Sequence, residues 1–415
     1  GWIDQTSLSA VSLAGQVQFV LSLFISGIAA GAGIMAAQYW GKQDAASIEK
    51  VIPIALRTNL LFSGLFTILA GFCPEMLMRI FTNDAALVAS GSQYLRAVAL
   101  SYVLCGISQV YLILLKNTGH AAVSSRISST AVVLNIILNA ILIYGLCGAP
   151  ALGIRGAAYA TVAARVVELI WAYLETKKPE RVRILWNRLF SSAGKILSED
   201  FWRYTLPVLA ASLVWGIAYV LYSVIMGHMG SDAVAANSIT SIAKSLLSCL
   251  IRGVSGGAGV LIGNLLGANE LEKAREYGGR LSHLSIAIGI VTGGLLMLIS
   301  PAIVHFAPLS DTAAEYLQYM LLFCGLNLMA QSVNTTVLDG IFCAGGDAKF
   351  DMQGNIGAMW CFSVPLGFLA AFWLKLPVMV VYCIVNLDEI VKLPAVYHHY
   401  KKYIWVRNIT RDIED

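Results

Sequence analysis

The sequence has few charged residues. Only 13% of its 415 residues are Asp, Glu, Lys or Arg, whereas 58% are hydrophobic. A soluble domain of ordinary composition carries about 25% charged residues, so this chain has too few to cover a water-facing surface. Its apolar runs reach about 20 residues, the length at which a helix crosses the hydrocarbon of a bilayer. Because only a helix satisfies its own backbone over such a run, the composition predicts an all-α polytopic membrane protein.

The motifs of soluble enzymes and metal proteins are also missing. The eight cysteines are scattered, mostly inside apolar segments, and no CxxC pair is present, which argues against a zinc site or a disulfide framework. No glycine-rich stretch is followed by GK[ST], and no HExxH occurs. The net charge of +4 comes from basic residues in predicted loops. We therefore expect no enzymatic activity, no resident cofactor or metal, and no nucleic-acid partner.

One segment of the chain occurs twice. Residues 7–49 align without a gap with residues 233–275, and each copy is an apolar helix followed by a short charged loop. Shared composition alone would not reproduce both the glycine register and the polar loop. A parallel repeat of this size is found in transporters, so we predict two homologous bundles in tandem. The matched glycines are Gly27 with Gly253, Gly31 with Gly257, Gly33 with Gly259, and Gly41 with Gly267.

Hydropathy predicts eleven spans. An additional helix precedes the second copy of the repeat and has no equivalent before the first. We therefore expect that a first helix is missing from this chain and that the parent has two six-helix lobes. The first lobe is assigned to 1–190, with a linker at 175–200, and the second lobe to 196–415. The spans lie at 12–38, 51–73, 93–115, 123–145, 156–174, 203–227, 236–265, 281–303, 313–342, 352–374 and 376–396.

Lys and Arg residues are concentrated in the linker 175–200, which includes Arg188, and in the tail after the last span. Such an excess is typical of the cytoplasmic side of a membrane protein. We therefore expect a multi-pass protein of the inner (plasma) membrane, with the linker and the C-terminus in the cytoplasm. The lipid bilayer and a small-molecule substrate are its expected partners, and we expect a monomer.

Five segments stand out by their order, spacing and repetition. They are GAGIMAAQYWGKQD at 31–44, LNIILNAILIYG at 134–145, LGIRGAAYATVAARVVE at 152–168, GGAGVLIGNLLGANELEKA at 256–274 and VPLG at 364–367. With them, the whole chain resembles the multidrug and toxic compound extrusion (MATE) transporters, members of the multidrug/oligosaccharidyl-lipid/polysaccharide flippase superfamily. The resemblance implies two lobes in a V shape around a cavity that opens alternately to each membrane face. It also implies export of small amphipathic, cationic organic molecules, driven by inward flow of Na⁺ or H⁺. The alternative is a lipid or lipid-linked glycan flippase of the same superfamily.

Asn135 and Asn139 lie four residues apart, so both side chains project from one face of their predicted helix. Amides in hydrocarbon are costly without partners, which makes them functional candidates. Thr161 on the next helix could supply a third oxygen. The resemblance implies that these three residues form a cation site together with an Asp from the first helix, which would lie outside this chain. Asn139 is an amide where many members of the family have Asp. Alternatively, the amides only bond neighbouring helices.

Arg252 is the least ordinary residue of the second lobe. It lies in mid-span, about two turns after Lys244 and on roughly the same side of the helix. A mid-membrane arginine costs at least about 2.5 kcal/mol on insertion scales, so it should face a cavity or a partner. It either contacts an anionic group of a substrate, competes with the coupling ion for a carboxylate, or forms an internal ion pair. Candidate partners are Glu168, Asp339 and the acidic residue of the missing helix.

Further residues are predicted to line the substrate cavity. Gln109 and Tyr111 are candidates in the first lobe, although a tyrosine on a helix face is more often a packing residue. The resemblance places Trp215 and Asn334 at the positions of a second cation site in the C-terminal lobe. Because neither side chain carries a charge, we expect no Na⁺ site there.

Mid-helix glycines weaken the helical ladder and permit bending. We expect such bending at the four glycines Gly27, Gly31, Gly253 and Gly257. Glycines at every fourth position let another helix approach closely, and Gly259, Gly263 and Gly267 follow that pattern.

Three acidic residues are assigned structural roles. Glu168 pairs with Arg165 at i,i+3 spacing. Asp347 and Asp351 are expected in a loop, where they would balance Lys349.

Overall fold

The computed structural model describes residues 5–148, 150–179, 181–184, 186, 189 and 194–412, and within them regular structure is entirely helical. Part of the linker, including Arg188, lies outside the described residues. Nine helical stretches in the described part are long and apolar enough to cross a membrane. The prediction of an all-α polytopic membrane protein is therefore confirmed.

Fifteen α-helices carry the fold. They are α1 (Gln5–Gly41), α2 (Ala45–Phe72), α3 (Pro74–Arg79), α4 (Ala85–Val98), α5 (Leu100–Leu115), α6 (Ala121–Tyr144), α7 (Gly153–Thr176), α8 (Lys195–Gly227), α9 (Ser231–Gly267), α10 (Leu271–Phe306), α11 (Asp311–Thr335), α12 (Ala348–Asn355), α13 (Val364–Phe368), α14 (Val378–Val385) and α15 (Asp388–Tyr400). Wider π-helical turns are present at Thr336–Phe342, Ile356–Ser363 and Leu369–Trp373, whereas Lys116–His120 contains a kink with non-helical backbone angles at Thr118 and Gly119.

The predicted spans 93–115 and 123–145 form one helical stretch, Leu100–Tyr144. This stretch nevertheless reverses direction at Gly119, whose φ of 80° lies in the region that glycine adopts without steric cost. The Ser124 hydroxyl donates to the Leu112 carbonyl at 3.0 Å, which places the start of α6 beside the end of α5. Two separate helices are therefore present, as the sequence predicts.

The last predicted span, 376–396, is a different structure. It consists of α14 and α15, of 8 and 13 residues, with a break at Asn386 and Leu387. The Tyr382 carbonyl at the end of α14 accepts both from the Asn386 backbone amide at 3.1 Å and from the Asn386 side chain at 3.0 Å. Because of this break, the start of α15 and its two acidic residues, Asp388 and Glu389, lie buried inside unit 2.

The described residues form two compact units. Unit 1 contains the residues up to Ala36 and those from Asp44 to Leu209, and unit 2 contains Ala37–Gln43 and the residues from Ala210 onward. Both α1 and α8 therefore contribute to both units. The boundary between the two units lies inside α8, between Leu209 and Ala210. The sequence had placed the boundary between the lobes earlier in the chain, at the linker 175–200.

In unit 1, α1 packs closely against the first half of α8. A Cβ atom at Gly27 would approach the backbone of Leu209 to 2.9 Å, and one at Gly31 would overlap Thr205. These two glycines therefore permit close approach of a neighbouring helix. Their counterparts in the repeat, Gly253 and Gly257, have open space where a Cβ would lie. The two copies of the repeat therefore share glycine at these positions, but among the described residues only the first copy has a neighbouring helix packed against them.

In unit 2, the end of α1 packs against the end of α9. A Cβ atom at Gly263 would lie 2.7 Å from the Ala37 Cβ, and one at Gly267 would overlap the Gln38 carbonyl. Gly259 similarly faces the Gly340 backbone at 3.4 Å. The expectation that the every-fourth-residue glycines of α9 permit close helix approach is confirmed.

The C-terminal tail is packed onto this junction. Gln38 is fully buried, and it donates to the Ala344 carbonyl at 2.7 Å and accepts from the Ile409 amide at 2.8 Å. Lys42 contacts Asp412 at 2.7 Å, and this hydrogen bond holds the pKa of the exposed Asp412 carboxyl below its usual value. These contacts attach residues 37–43 to unit 2.

Candidate functional site

The amide–threonine cluster of unit 1 has the predicted geometry. Asn139 Nδ2 donates to Asn135 Oδ1 at 3.0 Å, and Asn135 Nδ2 donates to Thr161 Oγ1 at 3.4 Å. The three side chains thus form a continuous chain across α6 and α7. Asn139 Oδ1 is buried and has no donor among the described residues, so one oxygen of the cluster is left to accept from, or coordinate, something else.

A carboxylate lies in the same region. Glu168 is 2% exposed and accepts from Arg165 Nη1 at 2.6 Å and from the Ser108 hydroxyl at 2.8 Å. The i,i+3 pair with Arg165 was predicted. A cavity of about 290 Å³ is lined by Asn135, Thr161, Arg165 and Glu168 together. Glu168 lies seven residues, or about two helical turns, after Thr161, so both side chains share one face of α7; this spacing is the signal that could have placed the carboxylate at one cavity with Thr161 and Asn135.

A second cavity of unit 1, of about 240 Å³, is lined by Gln109, Tyr102 and Arg165. Gln109 therefore lines a cavity, as the sequence predicts. Tyr111 does not match its predicted role: it is 1% exposed, its hydroxyl accepts from Trp186 Nε1 at 2.8 Å, and its ring packs edge-on against Tyr173. A buried aromatic with this partner is a packing residue.

A third cavity, of about 170 Å³, lies in unit 2 and contains four charged side chains. Trp215 and Tyr219 stack with their ring centroids 5.6 Å apart, and the Arg252 guanidinium lies 5.6 Å from the Trp215 ring centroid. Lys244 donates to Asn327 at 3.0 Å. The predicted positions Trp215, Lys244 and Arg252 therefore come together at one cavity.

The acidic residues of this cavity come from the start of α15. Lys392 is 5% exposed and binds Glu389 Oε1 at 3.2 Å, with Asp388 Oδ2 at 3.8 Å. It also donates to Asn355 Oδ1 at 3.1 Å. Asn334 is buried behind this group and donates to Glu389 Oε2 at 2.8 Å, so it supports a carboxylate and does not face the cavity as predicted.

The expectation that Asp347 and Asp351 balance Lys349 is wrong, and of the two only Asp347 lies in a loop. Asp351 lies in α12, is 6% exposed and accepts from Asn355 at 3.1 Å. Asp347 contacts His399 Nε2 at 2.6 Å. Packing of α12 against α15 explains the difference: Asp347 binds His399 of α15, and Asn355, the partner of Asp351, accepts from Lys392 of α15.

The internal ion pairs considered for Arg252 are not formed in the part of the chain that the structure describes. Its guanidinium has no carboxylate within 4.0 Å, and the Glu168 carboxylate binds Arg165. Asp339 lies within electrostatic range of Arg252 but forms no salt bridge with it in the described residues. Arg252 itself is exposed at the cavity. Of the interpretations considered, the one in which Arg252 faces a cavity matches the geometry.

No group of three or more His, Cys, Asp and Glu side chains among the described residues has the arrangement of a metal site. The carboxylates of unit 2 are held by Lys392, and the oxygens of the unit 1 cluster are neutral amides and a hydroxyl. The chemistry available here is ion pairing, hydrogen bonding and binding in cavities.

Comparison with known proteins places the chain in a family. The MatE family model matches residues 1–141 and 207–369, which is most of the chain. The chain belongs to the MatE family. As a MATE protein it is a multi-pass membrane transporter and not an enzyme, as the sequence predicts.

Individual relatives align with nearly the whole chain. It is 21% identical over 97% of its length to an uncharacterized transporter, YisQ, of Bacillus subtilis, covering 88% of that protein. It is 22% identical over 100% of its length to the probable multidrug resistance protein YoeA of Bacillus subtilis, covering 89% of it. A solved multidrug resistance MATE family transporter in an outward-facing conformation aligns with a TM-score of 0.87 at 20% identity, covering 97% of this chain and 89% of the other.

Proposed function

We propose that this MATE protein exports small amphipathic organic molecules by alternating access, in exchange for inward flow of Na⁺ or H⁺. Membership of the family and the multidrug-resistance names of its relatives support efflux. The absence of a P-loop signature from the sequence leaves an ion gradient as the source of energy. The single observation on which the coupling rests is the unit 1 cavity that contains Asn135, Thr161, Arg165 and Glu168.

Glu168 is the group of this cavity that can exchange a cation. Its two oxygens are bound to Arg165 and Ser108, so an entering proton or Na⁺ competes with the guanidinium for the same carboxylate. A buried ion pair that loses one partner is destabilised, which makes the pair sensitive to the arriving charge. Competition of this kind links ion entry to the position of Arg165, which also lines the second cavity of unit 1.

Asn135 and Thr161 provide neutral oxygens in the same cavity as that carboxylate, and Asn139, which does not line this cavity, is hydrogen-bonded to Asn135. Hard cations prefer oxygen ligands, and Asn139 Oδ1 has no donor among the described residues. Amides do not take a proton at neutral pH, so the cluster favours Na⁺ whereas Glu168 serves either ion. The two groups therefore lead to different results. If the amide–threonine cluster is needed for coupling, Na⁺ drives transport; if Glu168 alone is needed, either ion can drive it.

The test uses the purified protein in liposomes, with ethidium efflux followed under an imposed Na⁺ gradient, an imposed H⁺ gradient, or neither. We expect one gradient to accelerate efflux and Glu168→Gln to abolish that acceleration. Asn139→Ala should weaken an Na⁺-driven response and leave an H⁺-driven one intact. Glu276→Gln, which removes an exposed carboxylate that binds Arg280 on the same helix, is the matched control. Efflux that is equal with and without gradients would overturn the antiport proposal.

The alternative function, a lipid or lipid-linked glycan flippase, is favoured by one observation. Lys244 and Arg252 give the unit 2 cavity two cations that could bind a lipid phosphate. The same vesicles, loaded with a fluorescent phosphatidylglycerol, test this directly. Rapid transbilayer movement of the lipid, with no ethidium efflux, would favour the flippase.

A further inference from the structure

The second cavity of unit 1, of about 240 Å³, has a single charged side chain in its lining, Arg165 of α7. Leu21 and Ile25 of α1 supply an apolar wall, and no carboxylate of the described residues lines it. Small-molecule sites are typically of this kind, mostly apolar with a few polar groups that fix orientation. A cavity of about 150 Å³ encloses benzene, so this one has room for a two-ring molecule.

The ion pair of Arg165 and Glu168 presents only its positive end to this cavity. Glu168 is 2% exposed and lines the other cavity of unit 1, the one that contains Asn135 and Thr161. The Arg165 side chain is 29% exposed and lines both cavities. A molecule in the 240 Å³ cavity therefore meets the guanidinium, with the carboxylate behind it. Because the pair is neutral as a whole, its effect is one of short range: it repels a cation in contact with it and donates to a neutral acceptor.

Arg165 also keeps hydrogen-bond donors for a ligand. Its Nη1 atom donates to Glu168 Oε2 at 2.6 Å, whereas Nε and Nη2 have no acceptor among the described residues. Tyr102 is 1% exposed and lines the same cavity, and its hydroxyl is buried without a partner in the described part of the chain. Buried polar groups normally find partners. An acceptor oxygen on a bound molecule would satisfy these donors.

We propose that Arg165 determines the specificity of this cavity: it excludes permanent organic cations and selects uncharged amphipathic molecules whose carbonyl oxygen accepts from Arg165 and Tyr102. This rests on the proposed export function, because it names a class of exported molecule. An organic cation such as ethidium binds outside this cavity. Arg165 also screens Glu168 from such cations, so the carboxylate stays available to the coupling ion.

Two probes with the same fused rings separate charge from shape. 1-Methylquinolinium is a permanent cation, and 1-methyl-2-quinolone is its uncharged counterpart with a carbonyl oxygen. Binding is measured without a gradient, by isothermal titration of the detergent-solubilised full chain at neutral pH in sodium-free buffer. We expect the quinolone to bind at least about tenfold more tightly than the quinolinium.

Arg165→Gln should reverse this preference. Loss of the guanidinium uncovers the Glu168 carboxylate, so the quinolinium should bind about tenfold more tightly than to the unmodified protein, and the quinolone several-fold more weakly. Arg165→Gln combined with Glu168→Gln should lose the gain in quinolinium affinity, and it also removes the buried charge that destabilises the single variant. Tyr102→Phe should weaken binding of the quinolone only. Arg280→Gln, which removes an exposed arginine paired with a glutamate of its own helix, is the matched control and should change neither affinity.

Tighter binding of the quinolinium than of the quinolone by the unmodified protein would overturn the proposal. An unchanged quinolinium affinity in folded Arg165→Gln would do so too, as would a gain that survives the loss of the Glu168 carboxylate. If Arg165→Gln does not fold, Arg165→Lys takes its place: it keeps the charge and should still exclude the quinolinium, and tight quinolinium binding there would contradict exclusion by charge.

The binding test is independent of the transport test. The preference for the quinolone can be present when gradient-driven ethidium efflux is absent, and efflux can be present without that preference. Failure of the specificity proposal is therefore distinguishable from failure of the antiport proposal.

Discussion

Gly41 and Asn264 lie against each other through their backbones in unit 2, where the end of α1 passes the end of α9. A Cβ atom at Gly41 would overlap the Asn264 carbonyl, and one at Gly267 would overlap the Gln38 carbonyl. Gln38 and Gly41 align in the repeat with Asn264 and Gly267. Each copy of the repeat therefore places its glycine against the same position of the other copy, so the junction has local two-fold symmetry.

This symmetry makes both glycines necessary for packing. Gly41→Ala and Gly267→Ala should each destabilise the protein, because the added methyl group meets backbone that cannot rotate away. Overpacking of this kind costs about 1 to 3 kcal/mol. Thermal unfolding in detergent, followed by tryptophan fluorescence, measures the effect. Gly279→Ala is the control, since no side chain or neighbouring helix among the described residues lies within 4 Å of its Cβ position; an equal loss of stability in that variant would show that the junction is not special.

Gly253 and Gly257 should behave differently. Both lie inside the uninterrupted helix α9 with open space at the Cβ position. Alanine there relieves the helical cost of glycine, about 1 kcal/mol per residue, and stiffens the helix. We expect the double alanine variant to keep or raise its unfolding temperature while ethidium efflux falls several-fold. Unchanged efflux would rule out bending of α9 as part of transport.

Substitution of Gln38 should loosen the C-terminal tail locally. Gln38→Ala would leave the Ile409 amide and the Ala344 carbonyl without partners in a buried place. Losing a partner for a buried polar group costs about 1 to 3 kcal/mol. Hydrogen exchange at the end of the tail should therefore accelerate about tenfold or more, with little change in α10.

Asp412→Asn is the matched control for the tail, because it removes only the exposed contact with Lys42. Exposed ion pairs contribute little, so its exchange should stay close to that of the unmodified protein. Faster exchange in Asp412→Asn than in Gln38→Ala would show that the salt bridge, and not the buried glutamine, holds the tail.

Much of the fold followed from local pattern. Asn135, Asn139 and Thr161 lie at helical spacing, and their contact required only that α6 and α7 be neighbours. The separate spans 93–115 and 123–145 were predicted from two apolar runs, and the reversal at Gly119 lies between them.

The α15 cluster could not be predicted in the same way. At the end of an apolar span, the residues DEIVK at 388–392 have the composition of a solvated tail, and their partner Asn355 lies far away in sequence. Gln38 was missed for a similar reason, since its acceptor and donor lie at Ala344 and Ile409. Long-range pairing of polar groups leaves no periodic signal in the sequence.

The cluster itself yields the largest expected effect on stability. Lys392→Met removes the cation shared by Glu389 and Asp388 and leaves buried carboxylates uncompensated. Breaking a buried ion pair in this way costs about 3 to 5 kcal/mol, so the unfolding temperature should fall markedly. Glu389→Gln combined with Lys392→Met should be more stable than Lys392→Met alone, since the second change removes a carboxylate and keeps a hydrogen-bond partner for Asn334. Additive losses in the double variant would mean that the two residues are not coupled, contrary to their 3.2 Å contact.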